Sequence, residues 1–262
     1  MSINTPSNGG SVLRTLRTDA ALRTLIAAGP VVSSPDLEPW VLRQLVRTGR
    51  IARLRRGRYL VPDAKGRMLP PAAVAALLEP KGHLSCFGGV VLHGLTDQDT
   101  DTWVVVSARR QAAARYGRAR IVFVRPRARA PRARVRTLRI ASVEIRVAAP
   151  EDAFVDCLER PRYGPGPTEL LRILRTGLRA RRLSSRRLRE RALHGGSPSV
   201  AARLGLLLEL ATGQRDPRLY AFARTSHRWR ALAEEHRTVR RDSAWRLTMP
   251  TPPEQIGRAA RE

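Results

Sequence analysis

The stretch RIARLRRGRYLVPD, residues 50–63, constrains this chain more than any other. Apolar and arginine residues lie on both sides of Arg56-Gly57, and Pro62-Asp63 ends the run. The pattern predicts a hairpin, with residues 51–55 going out and 58–61 returning. Five arginines fall within these fourteen residues. Like charges facing each other across paired strands are destabilising. Such a hairpin is either fully solvated or lies against a polyanion.

What precedes the hairpin favours the polyanion. Residues 1–11 are polar and predict a disordered leader. Leu13, Leu16, Ala20, Ala21, Leu25 and Ile26 fall near helical spacing, which predicts a helix over 12–28 that Gly29-Pro30 stops. Val31-Val32 reads as a short extended link. Ser34-Pro35 opens a second helical start, as cap and first-turn proline. Pro39 either falls in the first turn of this helix or separates two short helices; a break is the preferred reading, with a last helix that starts near Glu38 and runs to 48. Val41, Leu42, Leu45 and Val46 form its buried face, and Gly49 is its stop. Three small helices followed by a hairpin is the order of a winged helix-turn-helix. In that fold the last helix enters the major groove and the wing lies along the backbone. Arg43, Gln44 and Arg47 lie off the buried face and suit base edges. Arg53, Arg55, Arg56 and Arg58 belong to the wing, where phosphate contact is expected. Strict alternation would put Ile51 and Arg53 on one face, which leaves open which wing arginine turns inward. A solvated basic hairpin is the alternative, and winged domains sometimes bind protein instead.

The rest of the chain predicts an α+β protein. A winged helix-turn-helix domain over 12–66 precedes a mixed α/β C-terminal domain over 67–249 with a helical end, and 250–262 reads as a flexible tail. After a short helix over 71–78, HLSCFGGVVLHGL reads as a helix capped by Ser85 and ended by Gly94. Strands are predicted over 103–107, 120–125, 135–138 and 143–147. A helix from Pro150 through 158 carries Glu151 and Asp152 in its first turn, where negative charge suits the helix dipole. Further helices are predicted over 168–179, 184–193, 199–211 and 218–236.

Charge narrows the partners. Net charge is +27, with 49 basic residues against 22 acidic. Lys65 and Lys81 are the two lysines, so almost all of the positive charge is arginine. Codon bias can favour arginine over lysine, but it does not produce that imbalance. The balance points to DNA, RNA or an anionic membrane surface. Hydrophobic residues make up 42%, too many for a disordered polyelectrolyte. No apolar run is long enough to span a bilayer, and the start is polar and uncharged, so a cytoplasmic protein with no membrane partner is expected. Cys86 and Cys157 sit in apolar surroundings and read as two buried, reduced thiols. Between 108 and 146 there are thirteen arginines and one acid, Glu144. Within that region RPRARAPRARVR is either a loop that tracks phosphates or a solvated insertion.

Catalytic patterns fail on their own terms. Asp97, Asp99 and Asp101 have calcium-loop spacing, but Thr102 stands where glycine is needed and Ala108 where glutamate is. GGSPS (195–199) is similar to the start of a nucleotidyltransferase site, yet Glu209 and Asp216 have no acidic partner two residues away. The five histidines show no metal spacing. No enzyme, cofactor or metal site is expected.

Four pieces, GRIARLRRGRYLVP, HLSCFGGVVLHGL, APEDAFVDCLERPRYGPGPTELLRILR and VAARLGLLLELATG, occur in the order of a known family. Over residues 16–213 the chain resembles the AbiEi antitoxins of type IV toxin–antitoxin systems. The resemblance implies a winged helix-turn-helix that binds repeats in its own promoter and represses its operon. It implies also a C-terminal domain that counters a nucleotidyltransferase-like toxin, and self-association on DNA. The segment before the recognition helix is shorter than the family's, with Pro39 inside it, and Cys86 stands where the family more often has histidine. Rival readings are a stand-alone DNA or RNA regulator without a toxin, and a nuclease-like domain fused to an AbiEi-like half. The residues after 199 lack lysine and a carboxylate constellation for the nuclease. The basic middle has only Tyr116 and Phe123 for stacking RNA bases.

Overall fold

The hairpin forms, as two strands of a three-stranded sheet. A computed structural model of the protein describes residues 9–33, 36–126, 133–141, 143–234 and 240–261, and side chains from 13 onward. The chain opens with helix α1 (Gly9–Ala28), strand β1 (Val31–Ser33), helix α2 (Pro39–Arg47) and the hairpin strands β2 (Ala52–Arg55) and β3 (Arg58–Leu60). β3 is central and pairs antiparallel with β1 and β2. Leu22, Leu25, Val32, Val41, Leu45, Ile51, Tyr59 and Val61 make a small core between sheet and helices. Pro39 occupies the first turn of α2, where its missing N–H costs nothing. Gly49, at φ +70°, ends the helix in the left-handed conformation.

This winged unit departs from expectation in three ways. The described residues contain two helices before the hairpin, not three. Residues 36–38 are not helical, and Ser34 and Pro35 lie outside the described residues. Val31-Val32 is no link but part of β1, which covers the free edge of β3. Gly9–Ser11 belong to α1 rather than to a leader, and residues 1–8 are outside the description. The parity puzzle is resolved by a register shift between Arg53 and Arg55. A bulge adds one residue and resets the alternation. Ile51 and Leu54 are buried on opposite faces of the sheet, in the winged core and in the core shared with α3, and the shift sets Arg55 opposite Arg58 while Arg53 is exposed.

The larger part is built on a six-stranded mixed sheet, ordered β6-β7-β5-β4-β9-β8. Its strands are β4 (His83–Ser85), β5 (Thr102–Val106), β6 (Ala114–Tyr116), β7 (Ala119–Val124), β8 (Val135–Ile140) and β9 (Val143–Ala148). Helix α3 (Pro71–Leu78) covers one face, packing with Trp103, Val105, Ile121 and Val147. Helices α4 (Cys86–Leu92) and α5 (Pro150–Glu159) cover the other, where Val104 and Ala148 point. Burial on both faces accounts for the continuous apolar run of β5. Helices α6 (Pro167–Arg179), α7 (Ser185–Gly195), α8 (Pro198–Thr212) and α9 (Pro217–Arg224) complete the second core. Ser184 and Ser197 cap α7 and α8, each accepting a backbone N–H at 3.4 Å. GGSPS is thus a helix start. The chain is α+β.

Tertiary contacts overrule several local readings here. The expected helix starts directly after Ser85, but residues 83–85 form a strand at the sheet's centre, and Ser85 at the N-cap position donates its hydroxyl to Asp156 Oδ2 at 2.6 Å instead of capping with its side chain. The expected helix over 218–236 ends at Arg224. A small sheet follows, made of β10 (Arg230–Ala231), β11 (Arg240–Asp242) and β12 (Leu247–Met249), with 235–239 outside the described residues. The expected flexible tail contains helix α10 (Pro253–Ala259). Ile256 is buried, and Arg172 and Arg175 of α6 donate to the carbonyls of Ala259 and Gly257 at 3.1 and 2.9 Å. The core also crosses residues 66 and 67. Leu54 and Leu60 of the hairpin belong to the same cluster as Leu69, α3 and the large sheet.

Candidate nucleic-acid interface

α2 buries Val41 and Leu45 and turns Arg43, Gln44 and Arg47 outward, as helical spacing requires. Gln44 Oε1 accepts a hydrogen bond from Arg47 Nη2 at 2.7 Å. Arg43 makes no hydrogen bond or ion pair among the described residues. The three residues share an open groove of about 750 Å³ with Trp40 and with Leu13, Arg14 and Arg17 of α1. Arg14 and Arg17 were not singled out from the sequence, although their spacing of three puts them on one face of α1. Glu38 touches two residues that line this groove. It pairs with Arg17 at 3.8 Å and accepts the Trp40 indole N–H. An ion pair between Asp19 and Arg50 ties α1 to the chain leaving α2.

The wing arginines divide. Arg53 and Arg56 are exposed and have no partner among the described residues, and Arg58 is half-buried. Arg55 is different. Its Nη1 donates to the carbonyl of Ala112 at 3.0 Å and its Nη2 to Gln111 Oε1 at 2.8 Å. Its guanidinium lies 5.5 Å from the centre of the Phe123 ring. Gln111 in turn donates to the carboxylate of Glu79. Burial pulls the Arg55 pKa below the ordinary guanidinium value, and the charge of Arg58 adds to the effect. Arg55 was expected on phosphate. Its donors instead bind the wing to the loop before β6, and the bulge is what aims it there.

The architecture has a match. The crystal structure of the RV2827C protein from Mycobacterium tuberculosis is similar to this chain, with a TM-score of 0.58 over 94% of each chain and 15% sequence identity. At that coverage the likeness to RV2827C takes in both the winged unit and the large sheet, and it is a likeness of fold. No family model matches the chain, and no curated protein does.

Buried carboxylates elsewhere have structural partners. Asp152 sits between Arg134 and Arg191, each at 3.0 Å, and Asp156 takes Arg191 at 3.3 Å besides the Ser85 hydroxyl. Burial pushes the Asp152 pKa up, while the two arginines pull against it. The thiols of Cys86 and Cys157 are buried and pushed well above their ordinary pKa, so they are protonated and poor nucleophiles. Among the described residues no group of three His, Cys, Asp or Glu is placed to hold a metal. Likewise, no helix among them is long and apolar enough to cross a membrane. Arg127, Arg129 and Arg132 of the basic loop lie outside the described residues.

Proposed function

We propose that the protein is a sequence-specific DNA-binding repressor of its own promoter. α2 enters the major groove and the wing lies along the phosphates. The observation that carries this reading is the open basic groove. Arg43, Gln44 and Arg47 face out beside Arg14 and Arg17, and Arg43 has no hydrogen-bond or ion-pair partner among the described residues. Bidentate arginine and glutamine contacts read guanine and adenine edges, and arginines on the wing neutralise phosphate. The resemblance to AbiEi antitoxins supports a second role in the cytoplasm, countering a nucleotidyltransferase-like toxin without enzymatic activity of its own. It also supports self-association on promoter repeats.

The test is binding to the chain's own promoter duplex against a scrambled duplex of equal length. The promoter should be preferred, and Arg43→Ala should cost about 1–3 kcal/mol on it. Equal affinity for the two duplexes would defeat the repressor reading. For the antitoxin role, the full chain is co-expressed with a nucleotidyltransferase-like protein encoded beside it. Growth rescue is expected, and no rescue leaves a DNA-binding regulator alone.

A further inference from the structure

The small sheet near the C-terminus carries an aromatic residue on its outer face. β12 lies between β10 and β11, with Ala231 paired to Thr248 and Thr248 to Arg241. Directly paired residues share a face. Leu247 and Met249 turn into the helical core, where Trp245 is also buried, so Ala231, Thr248 and Arg241 turn outward. Trp229, two residues before Ala231, falls on that outer face by strand alternation. The Arg241 guanidinium lies 5.4 Å from the centre of its ring. Trp229 is 43% exposed, and the other large hydrophobic residues this exposed among those described are Leu13 and Leu16, far away on α1 in sequence. Ala231 and Thr248 are short, so the middle of the face does not shield the indole.

Charge in the two segments that flank the ring is mostly positive. Arg224, Arg228, Arg230, Arg240, Arg241 and Arg246 flank it in the two segments 224–230 and 240–246, against the single acid Asp242. That carboxylate already accepts the Trp245 backbone N–H at 2.7 Å. Arg228, Arg240 and Arg241 are exposed. Arg230 is held below its ordinary pKa by burial first, and the charges of Arg246 and Arg228 add to the effect. A duplex offers such a surface only phosphates, because its bases are stacked away. A single strand offers phosphates and base faces together.

We propose that this face, Trp229 with Arg241 and the exposed Arg228 beside it, binds single-stranded nucleic acid. A base stacks on the indole face that Arg241 leaves free, and the arginines hold the flanking phosphates. The site is separate from the groove around α2 and does not depend on duplex recognition there.

The test uses the full chain and labelled oligouridylate and oligothymidylate of about twelve nucleotides, within the range such platforms cover. Binding is followed by fluorescence anisotropy at several salt concentrations. Trp229→Ala should weaken strand binding about 5- to 150-fold, the equivalent of one lost base stack. Trp229→Phe should keep most of the affinity. Arg228→Ala and Arg241→Ala should each make the salt dependence shallower by about 0.7 in log–log slope. Promoter-duplex binding should be unchanged in all four variants. Tighter retention of oligouridylate assigns RNA as the ligand, and tighter retention of oligothymidylate assigns DNA. Strand binding that survives Trp229→Ala intact, or that falls with Arg43→Ala instead, overturns the proposal. If Trp229→Ala loses its fold by circular dichroism, Arg241→Ala decides, and unchanged strand affinity and salt slope in that variant overturns it.

Discussion

At the scale of single residues, neighbouring arginines of one hairpin have different tasks. Arg53 and Arg56 face solvent, whereas Arg55 is held by Ala112, Gln111 and Phe123. Arg53→Ala and Arg56→Ala should therefore weaken promoter and scrambled DNA alike, and each should reduce the salt slope by about 0.9. Arg55→Ala should lower the unfolding temperature instead, by removing charged hydrogen bonds worth about 1.5–3 kcal/mol each at most, less for a half-buried group. A fall in DNA affinity with no change in thermal stability would contradict this division. Glu209 makes a second residue-scale case. It accepts the Trp245 indole N–H at 2.8 Å and both an Nε–H and an Nη–H of Arg215, at 3.0 and 2.8 Å. The Arg215 hydrogen bonds hold its pKa below the ordinary carboxylate value. A lowered carboxylate pKa stabilises the fold above the unfolded value, about 4.3 for glutamate, and that gain disappears as pH falls through the folded value. Glu209→Gln lacks this titration, so its urea midpoint should fall less than the wild type's between about pH 6 and pH 3. Parallel acid limbs would show that Glu209 is not part of the acid response.

At the scale of elements, α8 shows how one missing side chain fixes a packing arrangement. A Cβ on Gly205 would lie 2.1 Å from Cη2 of Trp245, a rigid ring that is itself fully buried. The helix accepts the lower propensity of glycine so that the indole can lie against its backbone. Gly205→Ala should destabilise the protein by about 1–3 kcal/mol through overpacking. Adding Trp245→Leu should recover part of that loss, which chemical denaturation of the single and double variants would measure. Simple additivity of the two losses would show that the ring does not set the position of α8. Other elements were legible because their signals are local. Gly49 ends α2 and Ser184 starts α7 as read, whereas Ser197 and Asp216, which cap α8 and α9, were not read as caps. β4 was not legible, because three residues beside a helix carry no period of their own. Its identity rests on pairing with β5 and β9 on either side.

For the whole molecule, the winged unit is not set apart by the polar connector over 63–70. Leu54 and Leu60 reach the core shared by α3 and the large sheet, while β2 packs beside β6. A fragment ending near Gly66 exposes those leucines and frees Arg55. It should show no cooperative thermal transition by circular dichroism, whereas the full chain should. A sharp transition in the fragment would establish an independent domain. If the fragment fails to fold, DNA binding and antitoxin activity must be separated by point substitutions in the intact chain.

The sequence by itself determined the hairpin, the helix before it and the outward set Arg43, Gln44 and Arg47, because turn chemistry and helical period act over a few residues. It determined also the α+β class and the excess of arginine. Tertiary structure alone decided that Arg55 turns inward, that Arg14 and Arg17 join the groove, and that 83–85 is a central strand. It decided as well that the last residues fold back as α10 and that Trp229 stands outside its sheet. Each of these depends on a partner far along the chain: Gln111 for Arg55, Val147 for Leu84, Arg172 for Ala259, Arg241 for Trp229. A contact between distant residues leaves no period or cap in either segment, so it exists only once the chain has closed on itself.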